Sequence, residues 1–359
     1  MKNNFCIIMA GGVGSRFWPL SRTSYPKQFI DILGTGQSLI QQTYNRFKSL
    51  VPTQNFLVVT NAAYKDLVLE QLPELKSEQV LLEPFMRNTA PCIAYANKKI
   101  ALQNPDAKII VSPADHLVLD VPEFHSIIKR GLAFVAQKES LLTLGINPSR
   151  PDTGYGYIQK EENEISEELF KVKRFTEKPD LEKAKFFVES GEFFWNSGIF
   201  LWSLESINNA FEKYLPEINH LFEKGKTNFN SPKETDAIQE IYTNCENISI
   251  DYGVMEKADN VYVLAADFGW SDLGTWGSLY ANSKKDENNN AVMGENVFLN
   301  ETQNCIINVP SKKIVIAQGL EDYILVESED MLLICKKEEE QRIKEFTQKA
   351  KNKLGDDIA

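Results

Sequence analysis

The chain has 359 residues, 43% of them hydrophobic and 25% charged, the composition of a soluble globular protein with one large core plus an accessory unit, or two domains. Its formal net charge of −11 argues against a nucleic-acid partner, which needs a basic face, so an anionic ligand would require a local cationic pocket or a divalent metal ion. Five scattered cysteines (Cys6, Cys92, Cys245, Cys305, Cys335) without a C-x-x-C pair, no apolar run of the ~18 residues that span a membrane, and no signal-like segment point to a cytoplasmic chain with free thiols and no zinc site.

The first predicted element is the apolar strand Phe5 to Ala10. It ends in Gly11-Gly12-Val13-Gly14, a loop almost without side chains, where backbone N–H groups can approach a triphosphate closely. Arg16 and Lys27 add positive charge to it. Neither a Gly-Lys-Ser/Thr nor a Gly-x-Gly-x-x-Gly pattern is present, so a Walker loop and a dinucleotide fingerprint are both excluded; a plain glycine-rich turn is the other reading. Phe56–Val59 and Ile109–Val111 read as buried parallel strands. Between them Asn88-Thr89-Ala90-Pro91 opens a helix, with Thr89 as its cap, Pro91 in its first turn and Ile93, Ala96 and Ile100 on its buried face. Strand–helix alternation predicts a doubly wound α/β sheet, with ligands outside the carboxyl ends of the strands. The glycine loop and Ser112-Pro113-Ala114-Asp115-His116 both lie at that edge. Residues 150–285 bring longer, aromatic-rich strands such as Phe193-Phe194-Trp195. The polar stretch Asn282 to Asn290 reads as a linker, which divides the chain into a domain over 1–285 and a small β-rich domain over 290–359. The latter has short strands at Asn304–Val309, Ile314–Ala317, Tyr323–Val326 and Met331–Ile334. A charged helix follows from about Lys336, with a stripe of Ile343, Phe346, Ala350 and Leu354 that docks it or forms an interaction face.

Several residues carry candidate chemistry. Asp115, after a buried strand, is a metal ligand or a helix cap; Asp272, in the turn Gly269 to Trp276, is a second carboxylate. Mg²⁺ takes one or two carboxylates plus phosphate oxygens and waters. Glu83, at a strand end, can accept two hydrogen bonds from the N1–H and amino group of guanine, or can simply face solvent. Thr153 to Ile158, with Tyr155 and Gly156, can press backbone against a flat substrate. Glu177 and Lys178 suit sugar hydroxyls and a phosphate, or form a surface ion pair. Asn196-Ser197-Gly198 is a polar break in an aromatic strand and hints at a ligand contact.

Together these segments resemble the sugar-nucleotidyltransferase superfamily, in its branch acting on mannose 1-phosphate with GTP. MAGGVGSRFWPLSR, PKQF, EPFMRNTAP, SPADH, TGYGYI, FTEKP, WNSGIF, SIDYGVMEK and FGWSDLGTW carry the match over about residues 5–280. Phe17-Trp18-Pro19 and Arg87 to Pro91 favour the mannose branch over glucose-type relatives. The resemblance implies a mixed, mostly parallel Rossmann-like sheet with a short C-terminal β-helix-like domain used in dimerisation, and hence a homodimer. It implies guanylyl transfer from GTP to mannose 1-phosphate with Mg²⁺ on Asp115 and Asp272. Arg16, Lys27 and Lys178 would act on phosphates. Ala10, Gly11, Gly12, Gly14, Glu83, Asn88 and Thr89 would bind the nucleotide, and Tyr155, Gly156, Glu177, Asn196 and Asp251 the sugar. His116 is then a structural neighbour of Asp115. Isomerase activity is not implied, since no long cupin-like region follows. A guanylyltransferase for another sugar 1-phosphate is the nearest alternative. The presence of Arg16, Lys27, Asp115 and Asp272 argues against a non-catalytic sensing subunit.

Overall fold

The computed structural model describes residues 1–310, 312–328 and 330–355, and the chain divides into two units that are not contiguous in sequence. The first comprises Met1–Gly11, Tyr44–Ala114 and Val118–Trp270; the second comprises Gly12–Thr43, Asp115–Leu117 and the chain from Ser271 onward.

The first unit is built on a nine-stranded sheet. Its strands are β1 (Asn4–Met9), β2 (Phe56–Asn61), β3 (Val80–Glu83), β4 (Lys108–Pro113), β5 (Leu141–Ile146), β6 (Gly156–Ser166), β7 (Leu169–Glu177), β8 (Phe193–Ser203) and β9 (Val261–Ala266). Their order is β3-β2-β1-β4-β8-β5-β9-β7-β6, with β8 also pairing with β6. The sheet is mixed, as the resemblance implies. Pairing is parallel through β3-β2-β1-β4 and between β5 and β9. The long aromatic strand β8 runs antiparallel to both β4 and β5, and the β6–β7 hairpin extends the antiparallel part. Cys6, Ile7 and Ile8 in β1 and Ile109 to Val111 in β4 are completely buried, which is why these short strands read as continuous apolar runs. Met9 and Pro113 stand opposite each other at the carboxyl ends of β1 and β4, so the two loops that follow start from one edge.

Helix α1 (Thr89–Ala101) departs from its sequence reading in two ways. Asn88, not Thr89, is the N-cap: its side-chain oxygen accepts from Thr89 N, while Thr89 Oγ1 accepts from the backbone N of Ile250. The helix is also buried on all sides rather than along one stripe, Lys98 and Lys99 included. Those two ammonium groups are satisfied by Glu223 at 2.6 Å and Glu234 at 2.8 Å, as buried charges require.

In the second unit, β10 (Ala291–Met293), β12 (Ile306–Asn308) and β14 (Tyr323–Ser328) stack in parallel, and β15 (Met331–Lys336) closes the stack antiparallel, while β11 (Val297–Asn300) pairs in parallel with β13 (Val315–Gln318). Successive coils of chain thus lie on one another, as in a short β-helix. The core of this unit joins Ile306, Ile324 and Val326 to Phe17, Trp18, Leu273 and Trp276. Phe17 meets Trp276 edge-on, with centroids 4.9 Å apart, so packing, not chemistry, accounts for the aromatic pair after the glycine loop. The terminal helix α2 (Ile343–Leu354) starts later than the sequence suggested, because Lys337–Arg342 forms a tighter turn first. Ile343 is completely buried, Phe346 packs on the same core, and Leu354 is 70% exposed, so only the start of the stripe docks. Among the described residues, no helix is long and apolar enough to cross a membrane.

Candidate functional site

The motif residues fall into two clusters, one in each unit. In the second unit, Gly14, Arg16, Lys27, Asp115, Asp272 and Gly274 line a cleft of about 280 Å³. Three short segments meet there. The chain passes from one unit to the other at Gly11–Gly12, at Ala114–Asp115 and at Trp270–Ser271, which is why these motifs are far apart in sequence and close in space. Gly14 has φ of +69°, and a Cβ on it would collide with the Lys27 side chain; only glycine permits both the turn and the close approach. The backbone N of Lys27 donates to Val13 O at 3.1 Å.

Lys27 is the hinge of the electrostatics. It is only 3% exposed, and its Nζ donates to Asp115 Oδ2 at 2.9 Å and to the Asp272 backbone carbonyl at 2.7 Å. Burial pushes the Asp115 carboxyl up, but the Lys27 ammonium and then His116 outweigh it and hold it below its usual value. Asp115 therefore stays ionised. His116 Nε2 lies 3.9 Å from Asp115 Oδ1. Asp272 Oδ1 accepts from Gly274 N at 3.0 Å, and the buried Leu273 between them has φ of +44°, a backbone strain that fixes the turn. Arg16 is exposed at the rim. Among the described residues no group of three or more His, Cys, Asp and Glu side chains could cage a metal. Two carboxylates in a cleft with Arg16 and Lys27 fit an ion that draws its remaining ligands from phosphates and water, the pattern of Mg²⁺.

The first unit holds the other residues. Glu83 ends β3 and is only 6% exposed, so its solvent-facing reading fails. Its Oε1 accepts from the Tyr242 hydroxyl at 2.8 Å, and a Cβ on Gly11 would stand 3.4 Å from Oε2. Burial raises the Glu83 carboxyl to about 7, with the Tyr242 hydroxyl opposing. Ala10 is buried, its carbonyl accepting from Thr60 Oγ1. Asn88 is exposed with φ of +66°.

Asn196 anchors a polar chain across the aromatic strand: its Nδ2 donates to Asp251 Oδ1 at 2.9 Å, and its Oδ1 accepts from Thr143 Oγ1 at 3.0 Å. Burial, then the Glu177 carboxylate, raises Asp251 to about 7. Gly156 is a close-approach glycine, since a Cβ there would fall on Glu177 Oε2. Glu177 and Lys178 form the ion pair that was the plainer reading, at 2.7 Å. Lys178 nevertheless sits at φ of +46°, unfavourable for a lysine, which turns a 60% exposed side chain out of the strand end. Tyr155 packs edge-on against Trp195 and Trp270, and Arg150 stacks over Trp195 at 5.3 Å. Tyr242, Thr143 and Arg150 were not singled out from the sequence. Tyr242 reaches Glu83, Thr143 reaches Asn196 and Arg150 reaches Trp195 only through tertiary pairing, and none of the three lies in a motif.

A nucleotidyl transferase family model matches residues 5–289, and a MannoseP isomerase/GMP-like beta-helix domain model matches residues 294–349. Among curated relatives, a mannose-1-phosphate guanylyltransferase of Klebsiella pneumoniae is 36% identical over 343 residues, covering 94% of this chain and 72% of its own length. One from Escherichia coli is 36% identical over 351 residues, covering 95% of this chain and 74% of its own. Among solved structures, a mannose-1-phosphate geranyltransferase from Thermus thermophilus superposes with a TM-score of 0.87 at 28% identity, covering 97% of this chain and 99% of that one.

Proposed function

The chain belongs to the nucleotidyltransferase family, and from that premise we infer that it transfers the guanylyl group of GTP to mannose 1-phosphate, giving GDP-mannose and pyrophosphate. The observation that carries this reading is the cleft in which Lys27 ties Asp115 to the Asp272 turn beside Arg16. A phosphate oxygen of mannose 1-phosphate attacks the α-phosphorus of GTP in line; the bond from that phosphorus to the β-bridging oxygen breaks, and pyrophosphate departs. The nucleophile is already an anion, so the site needs no general base. Its task is to hold two anions together and offset the charge that develops between them.

In this reading Arg16 and the Gly12–Gly14 backbone hold the β- and γ-phosphates, and Lys27 answers the charge near the α-phosphate. Asp115 and Asp272 would hold Mg²⁺, which when bound would offset phosphate charge. In the first unit the buried Glu83 reads guanine through two donated hydrogen bonds, with Gly11, Asn88 and Thr89 shaping that subsite. Adenine presents a lone pair at N1 and would leave the carboxylate with no donor beyond the Tyr242 hydroxyl. Asn196, Asp251, Glu177, Gly156 and Tyr155 receive the sugar, and Lys178 its phosphate.

Two further elements belong to the same proposal. Phe298, Ile314, Ile316, Leu332 and Ile334 are each more than half exposed on the β-helix-like coils, exposed apolar side chains that suit burial against a second copy of the chain in a homodimer. The five cysteines are buried free thiols, which suits the cytoplasm. The enzymatic reading is tested by pyrophosphate release with each nucleoside triphosphate paired with several sugar 1-phosphates. GTP with mannose 1-phosphate should be the fastest pair; a faster pair, or none active, would overturn it.

A further inference from the structure

The phosphate cleft has one lining residue that no motif includes. Lys344, in the first turn of α2, borders the cleft with Gly14, Arg16, Lys27, Asp115 and Asp272. It also borders a neighbouring cavity of about 220 Å³ lined by Ser15, Ser21, Arg22 and Lys351. Its position is set by its neighbour: Ile343 is completely buried in the core shared with Phe17, Trp18 and Trp276, which docks the start of α2 against Ser15–Phe17. Lys344 itself is exposed.

Charge arithmetic gives this lysine a task. Nucleoside triphosphate and departing pyrophosphate each carry several negative charges. Lys27 is engaged by the Asp115 carboxylate and the Asp272 carbonyl. Arg22, which lines the adjoining cavity, is paired with Asp330 at 2.7 Å. Among the described residues, Arg16 and Lys344 are the cleft's two cations without an ion pair.

We propose that Lys344 is a substrate-contacting residue that holds the β- and γ-phosphates of the nucleotide, and then the pyrophosphate leaving group, together with Arg16. The C-terminal domain thus completes the phosphate site. This rests on the guanylyl-transfer reading, and the test separates the two.

The full-length protein and its Lys344→Ala and Lys344→Arg variants are titrated with inorganic pyrophosphate by calorimetry in the presence of Mg²⁺. They are then assayed in the forward direction and in pyrophosphorolysis of GDP-mannose. Loss of one charge-assisted contact predicts an affinity for pyrophosphate about tenfold or more weaker in Lys344→Ala. The KM values for pyrophosphate and GTP should rise in parallel, those for GDP-mannose and mannose 1-phosphate should stay within about twofold, and Lys344→Arg should recover most of the loss. Thermal melting should be unchanged, since the side chain is exposed. Equal pyrophosphate affinity in Lys344→Ala and the parent, or an equal rise in all four KM values, overturns the proposal. Failure of the parent protein to form GDP-mannose overturns the guanylyl-transfer reading instead, and a pyrophosphate affinity that still depends on Lys344 would leave the polyphosphate contact standing.

Discussion

Guanine binding at Glu83 should be coupled to release of a proton. Burial places this carboxyl at about 7 against an ordinary value of 4.5, the Tyr242 hydroxyl only partly opposing it, which corresponds to about 3 kcal/mol against ionisation in the unliganded protein. Because the folded-state value lies above the unfolded one, the stabilising contribution of Glu83 is full below pH 4.5 and is lost as pH rises through 7. Guanine requires the opposite state, since its two donors need a carboxylate. With a value near 7, roughly 3% of the carboxyl is ionised at pH 5.5 and roughly 90% at pH 8, so GTP affinity should rise about thirtyfold across that interval. Calorimetry at half-unit intervals, in buffers of different ionisation enthalpy, reads both the affinity and the proton released at the acid end. In Glu83→Gln the affinity should follow only the titration of the nucleotide's own phosphates, and relative use of ATP should increase. That variant should also be more stable at pH 8, by at most about 3 kcal/mol, since a neutral amide replaces a buried anion. A flat profile in the parent protein, or a thirtyfold rise that persists in Glu83→Gln, would refute the assignment of the base to Glu83.

Asp115→Asn and Asp272→Asn should each lower kcat by on the order of a hundredfold while keeping the native circular dichroism spectrum; near-normal turnover of either at saturating Mg²⁺ would remove that residue from the metal site. Arg16→Ala and Lys27→Ala should each cost about 3 kcal/mol of transition-state stabilisation in kcat/KM. Combining Lys27→Ala with Asp115→Asn should cost clearly less than the sum of the two, because Lys27 holds Asp115 in its working charge state; strict additivity in the double-mutant cycle would contradict that coupling. Lys178→Ala should act on mannose 1-phosphate, raising its KM about tenfold with little change for GTP, and unchanged kinetics would exclude Lys178 from the sugar-phosphate subsite.

What the sequence revealed depended on the range of the interaction. The buried strands β1, β2 and β4 and the glycine loop announce themselves locally, because continuous apolar runs and clustered glycines have few other uses. Asp115 and Asp272 were nameable as a pair, yet their meeting with Lys27 in one cleft depends on the chain leaving the sheet at three separate places. The partition of Gly12–Thr43 into the unit that holds the β-helix-like coils has no local signal: it follows from Phe17 packing on Trp276, far along the chain, and from Trp18 joining the same core. The same holds for Tyr242 beneath Glu83 and for Lys344 at the cleft. Asn88 and Thr89 are both good caps, so local sequence does not separate them at the start of α1; the tertiary bond from Ile250 N to the Thr89 hydroxyl decides between them.

Attack at the α-phosphorus of GTP by the phosphate of mannose 1-phosphate can be read from phosphorus NMR of a single reaction mixture. Purified protein with GTP, mannose 1-phosphate and Mg²⁺ should produce the paired resonances of a sugar-linked diphosphate and one equivalent of free pyrophosphate, with loss of both substrates in equal amounts. Appearance of GDP with orthophosphate, or of a doubly phosphorylated sugar, would place the bond cleavage at the γ-phosphorus instead.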